Sequence, residues 1–292
     1  QKRAEQALRE SEARQAFLLR LSDALRPLAD PARVQAAATT LLREELDAGW
    51  CYYVEWNEAG TMARVLRDAT REGLPSLAGE HDVSDVPEFL DLLRTGEILD
   101  APDYAGFELL SPRIRGRYTA LGFRSMLGVP LVKDGRLVAT LLVGDTAIRP
   151  WPDKAVALAR ETAEHTWAAI ERARAEAALR ERDEHNAFMV RFSDAVRELV
   201  DPQAVAEAAC RLVAETLGVE RAYWAEIDQA TRDYVIGASV HAPGVPVIAG
   251  RFPVDAWEPL SSLHRAGLPV VVGDTQADPR LPPGVRESYA QL

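Results

Sequence analysis

The chain repeats itself. A segment beginning at Arg3, RAEQALRESEARQAFLLRLSDALRPLADP, reappears at Arg174 as RAEAALRERDEHNAFMVRFSDAVRELVDP, an offset of 174 − 3 = 171 residues. Under that shift Phe17 meets Phe188, Ser22 meets Ser193, Asp30-Pro31 meets Asp201-Pro202, Tyr52 meets Tyr223 and Glu55 meets Glu226. A period of that length is a domain rather than a solenoid unit, so the same fold has to be built twice. Ile114, Arg115 and Tyr118 meet Val285, Arg286 and Tyr289, and Leu121 meets Leu292. After Leu121 the first copy continues with GFRSMLGVPLVKDGRLVATLLV and a long helical stretch. The second copy is therefore expected to lack a hairpin and a closing helix, and the sequence to be a portion of a longer protein.

Two domains plus connectors suit 292 residues. Hydrophobic residues at 47% and charged residues at 27% give globular composition and exclude disorder for most of the chain. There is no uncharged apolar run of about 18 residues, so no membrane-spanning helix is expected. QKRAEQALRESE at the start reads as charged helix and not as a secretory signal. The net charge, 34 − 45 = −11, disfavours nucleic acid and anionic membrane as partners. Two cysteines, Cys51 and Cys210, can supply neither a disulfide framework nor a cysteine-based zinc site. They suit a reducing compartment, and a cytoplasmic location is expected.

Periodicity gives the elements. Phe17, Leu21, Ala24 and Leu28 step along one helix face, and Phe188, Phe192, Ala195 and Leu199 repeat it. Asp30-Pro31 and Asp201-Pro202 each read as an N-cap followed by a first-turn proline. Apolar β-rich runs follow at 50–56 and 63–69, then short helices near Val86–Arg94 and from Ser111-Pro112 to about Gly122. Lys133-Asp134-Gly135 between two apolar runs is a hairpin signal. From Pro152-Asp153 one continuous helix is predicted to about Val200. The fold class expected is α+β, with antiparallel sheets flanked by helices.

At SMLGVPLVKDGRLVATLLV the chain resembles the GAF domain, whose late hairpin carries a VPL strand, a charged turn and a small apolar run. Val129-Pro130-Leu131 and Lys133-Asp134-Gly135 match that pattern. The resemblance covers nearly all of the first repeat and two-thirds of the second. With the linker helix and ALRPLADP it extends to sensory regions of bacterial HWE-type histidine kinases. It implies a 1–15 linker helix, a first GAF domain at 16–155, a connecting helix at 156–186 and an incomplete second GAF domain at 187–292. It also implies a downstream kinase domain on the same protein, although these residues hold no kinase core.

Chemistry is sparse. The two cysteines lie apart, as small buried hydrophobes do, and neither sits where bilin attachment requires a thiol. The Arg113, Arg115, Arg117 and Tyr118 helix gives only a faint echo of bilin-binding relatives. His81, His165, His185, His241 and His264 form no metal-ligand spacing. Phosphate-cradling glycine motifs are absent. No catalytic residue, metal or cofactor is expected, and the chain is read as non-enzymatic. What remains is a pocket. Tyr52, Val54 and Trp56 share one face of strand 50–56, and Tyr53 and Glu55 the other. A carboxylate is costly against apolar helices, so Glu55 and Tyr53 are expected on the ligand side, with Trp224 and Glu226 equivalent. Arg67, Tyr104, Phe107, Tyr118 and Phe123 are the remaining lining candidates, unless these aromatics simply fill the core.

The function expected is a regulatory sensor that binds a small ligand or partner and relays the signal through long helices. The alternative is a ligand-free dimerisation and spacer module with a vestigial pocket. Val156, Ala163, Ile170 and Ala177 step by seven as a stripe of mostly small residues. They are predicted to form the weak seam of a parallel homodimer.

Overall fold

A computed structural model describes residues 2–290. The domain limits expected at residues 1 and 292 lie outside the described residues. The chain forms two compact units, Gln1–Arg180 and Glu181–Leu292.

Unit one opens with α1 (Lys2–Leu25) and α2 (Pro31–Glu45), separated where Asp30 caps α2 by accepting the Ala32 N–H at 3.0 Å. Strands β1 (Trp50–Trp56), β2 (Met62–Val65), β3 (Asp68–Thr70) and β4 (Gly79–Asp82) follow, then α3 (Pro87–Arg94) and β5 (Leu99–Ala101). After α4 (Pro112–Ala120) come β6 (Ser125–Lys133) and β7 (Arg136–Asp145). The seven strands form one antiparallel sheet in the order β4-β2-β1-β7-β6-β5, with β3 also paired to β1. The β6–β7 turn is the expected Asp-Gly hairpin. Asp134 and Gly135 have φ of 51° and 73°, which matches the twist of the flanking strands.

The run expected at 63–69 is two strands and not one. β2 pairs with the end of β1 and β3 with its beginning, and the chain breaks at Leu66-Arg67 between them. Asp68 then holds the following loop through the Ser76 hydroxyl at 2.9 Å and the Leu77 N–H at 2.5 Å.

The sheet carries a core on each face. On one side Cys51, Tyr53, Leu127, Val129, Leu141 and Val143 pack against Phe17, Leu21, Val34, Ala38 and Leu42 of α1 and α2, and against α5 (Asp153–Val196). On the other, Trp50, Tyr52, Val54, Met126 and Leu142 pack against Phe89, Leu93, Tyr104, Ile114 and Phe123 of the middle segment.

The α5 helix runs as one element almost as far as predicted. Its buried positions, among them Ala159, Ala163, Thr166, Ile170 and Ala173, belong to unit one's own helix layer. This corrects two expectations. The domain limit at 155/156 falls inside α5, because the core it closes extends to Ala173. Ala163 and Ile170 are fully buried within one chain and cannot also form a dimer seam; Val156 is half-buried and Ala177 exposed. The charged positions beside the stripe are partly tied down, with Glu164 accepting from Lys133 at 2.6 Å and Arg172 donating to the Leu25 carbonyl at 3.0 Å.

Unit two continues with α6 (Pro202–Leu217), capped by Asp201, then β8 (Arg221–Asp228), β9 (Asp233–His241) and β10 (Gly250–Pro253), followed by α7 (Leu260–Arg265) and α8 (Pro283–Ala290). Its sheet has the order β10-β9-β8. Among the described residues no strand pairs with the free edge of β8, the position β7 takes beside β1 in unit one. The α+β class holds in both units, and among the described residues the second shows no counterpart of the β6–β7 hairpin or of the helix that closes unit one, as expected.

Candidate functional site

Strand β1 is two-faced, with the faces opposite to those expected. Tyr52, Val54 and Trp56 point to the middle segment, and Tyr53 and Glu55 to the helices. Glu55 is tolerated there because the helix layer is not uniformly apolar. The buried Gln35 of α2 donates its Nε2 to Glu55 Oε1 at 2.9 Å, and Arg174 of α5 donates to Oε2 at 2.8 Å. A buried carboxylate needs such partners.

On the other face a cavity of about 90 Å³ lies among Tyr52, Val54, Val65, Leu77, Phe89, Ile114 and Tyr118, with His81 and Arg117 beside it. Of the residues expected to line a pocket, Tyr118 alone borders this cavity. Tyr104 is fully buried, its ring 5.6 Å from that of Tyr118. Phe123 is fully buried, stacked on Trp50 at 4.1 Å and edge-on to Tyr118 at 5.3 Å. Phe107 packs half-buried at the margin of the same core. Arg67 is exposed at the β2–β3 break, and Trp224 and Glu226 are exposed on β8, 3.4 Å apart. Sequence reasoning missed Tyr52, although its pairing with Tyr223 across the repeat was the available signal.

The cavity's chemistry is phenolic. Burial pushes the Tyr52, Tyr104 and Tyr118 hydroxyls up, keeping them neutral near pH 7. The Tyr52 and Tyr104 hydroxyls are buried without a hydrogen-bond partner, and Tyr52 faces the Tyr118 hydroxyl outside good hydrogen-bond geometry. Such groups carry a desolvation penalty of about 1–3 kcal/mol each unless something bonds them. Cys51 lies on the opposite face, fully buried, and that burial raises its thiol well above the ordinary range and disfavours the thiolate.

Unit two holds a cavity of about 550 Å³ in the corresponding place. Eight lining positions are related by the 171-residue shift: Tyr52 and Tyr223, Val65 and Ile236, Leu77 and Ile248, His81 and Phe252, Val86 and Trp257, Ile114 and Val285, Arg117 and Ser288, Tyr118 and Tyr289. The tyrosine pair recurs with them, Tyr223 facing Tyr289 as Tyr52 faces Tyr118. Nearby, Tyr104 and Phe89 of the first copy meet the smaller Thr275 and Leu260 of the second.

The sequence model of the GAF domain family matches residues 30–170. No curated protein matches the chain. Among solved structures, the bacteriophytochrome RpBphP3 from R. palustris superposes with a TM-score of 0.58 at 14% identity, covering 80% of this chain and 50% of that one. The photosensory core module of the Stigmatella aurantiaca phytochrome gives 0.54 at 17%, covering 74% of this chain and 47% of that one. The chain spans about half the length of each, and at these identities the likeness is one of fold. Family match, sheet order and flanking helices agree over one segment: residues 30–170 resemble the GAF domain in sequence and in fold.

Proposed function

We propose that the two repeats are tandem GAF-type regulatory modules. They bind a small molecule between the sheet and the middle segment and bias the helices that follow. The observation that carries this reading is the recurrence of one cavity, with its tyrosine pair, at the same positions of both copies. A ligand can shift a helix arrangement only by binding one arrangement better than another, and about 1.4 kcal/mol of preference changes the ratio tenfold. Strand β1 suits such a relay, since its pocket face carries Tyr52 and its opposite face holds Arg174 through Glu55. The role is non-catalytic and cytoplasmic, in a protein whose output is a histidine kinase of the HWE type. A parallel homodimer remains part of this proposal. It would use exposed α5 positions such as Ala177 and Leu179 in place of the buried stripe.

One observation favours the spacer reading for unit one alone. About 90 Å³ is below the usual ligand range, and the Trp50–Phe123 stack fills part of that core. A tetrapyrrole does not fit that volume.

Native mass spectrometry of the chain purified from its own source tests the proposal. A small bound mass is expected, lost when Val285→Trp fills the second cavity. Protein without adduct, and a melting temperature that small-molecule libraries leave unmoved, would establish the spacer.

A further inference from the structure

We infer that a second cleft of unit one, outside the cavity between sheet and middle segment, is a binding site for a flat aromatic monocarboxylate. The cleft encloses about 310 Å³ at the end of the sheet where the β1–β2 and β6–β7 turns meet α3 and α5. It shares only Trp56 with the cavity described above. Its volume is at the lower edge of the range for small-molecule sites.

Two indoles and three guanidiniums line it, Trp56 and Trp167 with Arg94, Arg136 and Arg174. The arginines are not equally available. Arg174 is committed to Glu55, whose side chain is only 15% exposed. Arg136 holds Glu58 at 3.2 Å with both side chains more than half exposed, and Arg94 holds Asp91 at 3.0 Å in a similarly exposed pair. Exposed pairs contribute little, so both guanidiniums can turn to a ligand at small cost. Arg94 also lies directly over the β1–β2 turn: a Cβ on Gly60 would stand 2.7 Å from its Nη2.

The charge count selects the ligand. Counted with the partners just outside the lining, Asp91 on Arg94 and Glu171 on Arg174, the three guanidiniums carry no surplus charge, so a ligand enters by replacing one exposed carboxylate, which a monoanion does without adding charge. A carboxylate can take a guanidinium through paired N–H donors. An aromatic ring then finds the Trp56 and Trp167 surfaces, which pack favourably edge-on or offset against it. A phosphate would bring more charge than the two carboxylates of the cleft allow.

Benzoate is the probe, titrated into the full chain while the indole N–H resonances are followed by NMR. Trp56→Phe and Trp167→Phe assign the signals. Saturable shifts at both indoles are expected, weakened about tenfold in the double variant Arg94→Gln/Arg136→Gln, the loss expected for one charge-assisted contact. Both side chains are exposed, so the fold should survive; Arg136→Glu alone repeats the test at the more exposed position. Cyclohexanecarboxylate should bind more weakly and inorganic phosphate should not compete. No saturable shift, equal binding by the double variant, or phosphate displacing benzoate would overturn the assignment. The cavity-filling variant Val285→Trp should leave benzoate binding unchanged, which separates this site from the one proposed above.

Discussion

Glu55 of β1 and Arg174 of α5 are 119 residues apart in the chain and meet at 2.8 Å. The contact fastens the helix's last buried turn to the strand that carries Tyr52 on its other face. Arg174 is 44% exposed, so solvent screens much of the attraction. What matters more is the partner left behind: without the guanidinium, the largely buried Glu55 keeps only Gln35.

Arg174→Gln should therefore destabilise unit one by about 1 kcal/mol, and Glu55→Gln by less, because a neutral amide is cheaper to bury than an unpaired carboxylate. Urea unfolding of both single variants and the double variant measures the coupling. Independent, additive effects would remove the pair as a link between strand and helix.

Gly144 of β7 allows the Trp50–Phe123 stack to exist. A Cβ there would lie 2.2 Å and 2.4 Å from two Phe123 ring carbons, too close for any small adjustment. Gly144→Ala should expel Phe123 from its place and cost about 1–3 kcal/mol, the range for overpacking a core. Near-ultraviolet circular dichroism should lose its tryptophan signal together with the stability. An unchanged spectrum would mean the ring relocates freely and the stack is incidental.

Much of this fold is legible in the residues. Asp30-Pro31, Asp201-Pro202, Ser111-Pro112 and Asp134-Gly135 are local signals whose outcome depends on a few neighbouring backbone groups, and each appears in its expected role. The faces of β1 depended on something local reasoning cannot supply. Alternation correctly separated Tyr53 and Glu55 from Tyr52, but the polar partners that decide the side, Gln35 and Arg174, come from two distant helices. The stripe on α5 shows the same limit. Small residues at heptad spacing mark a close approach, and for Ala163 and Ile170 the partner is the chain's own sheet and helices. The site candidates failed for a third reason: aromatic content in the middle segment identified a core, while only Tyr118 borders its empty volume.

The repeat offers a paired experiment. Tyr53 and Trp224 occupy equivalent positions, but Tyr53 is 0% exposed beneath the helices and Trp224 is 52% exposed on β8. Tyr53→Ala should cost about 3 kcal/mol or more, as large-to-small changes in a closed core do, and Trp224→Ala about 0.5 kcal/mol or less. Chemical denaturation of the two variants decides it. Equal losses would mean that Trp224 is covered in solution.

Alkaline pH should unfold unit one in a specific window. Burial raises the folded-state values of Tyr52, Tyr53, Tyr104 and Tyr118 above the ordinary 10.0, and that of Cys51 above 9.0. Each group is then neutral in both states below about pH 9, and the contribution of its buried neutral form is fully present there. As pH rises past the unfolded values, the unfolded chain loses protons that the folded chain retains. It binds fewer protons than the native state, so stability falls with a slope set by that difference. Tyrosinate absorbance should therefore stay low for these four side chains until the fold fails, then rise in the same step in which circular dichroism is lost. Gradual ionisation of all the tyrosines from pH 10, with the dichroism intact, would show that the phenols of this core are open to solvent.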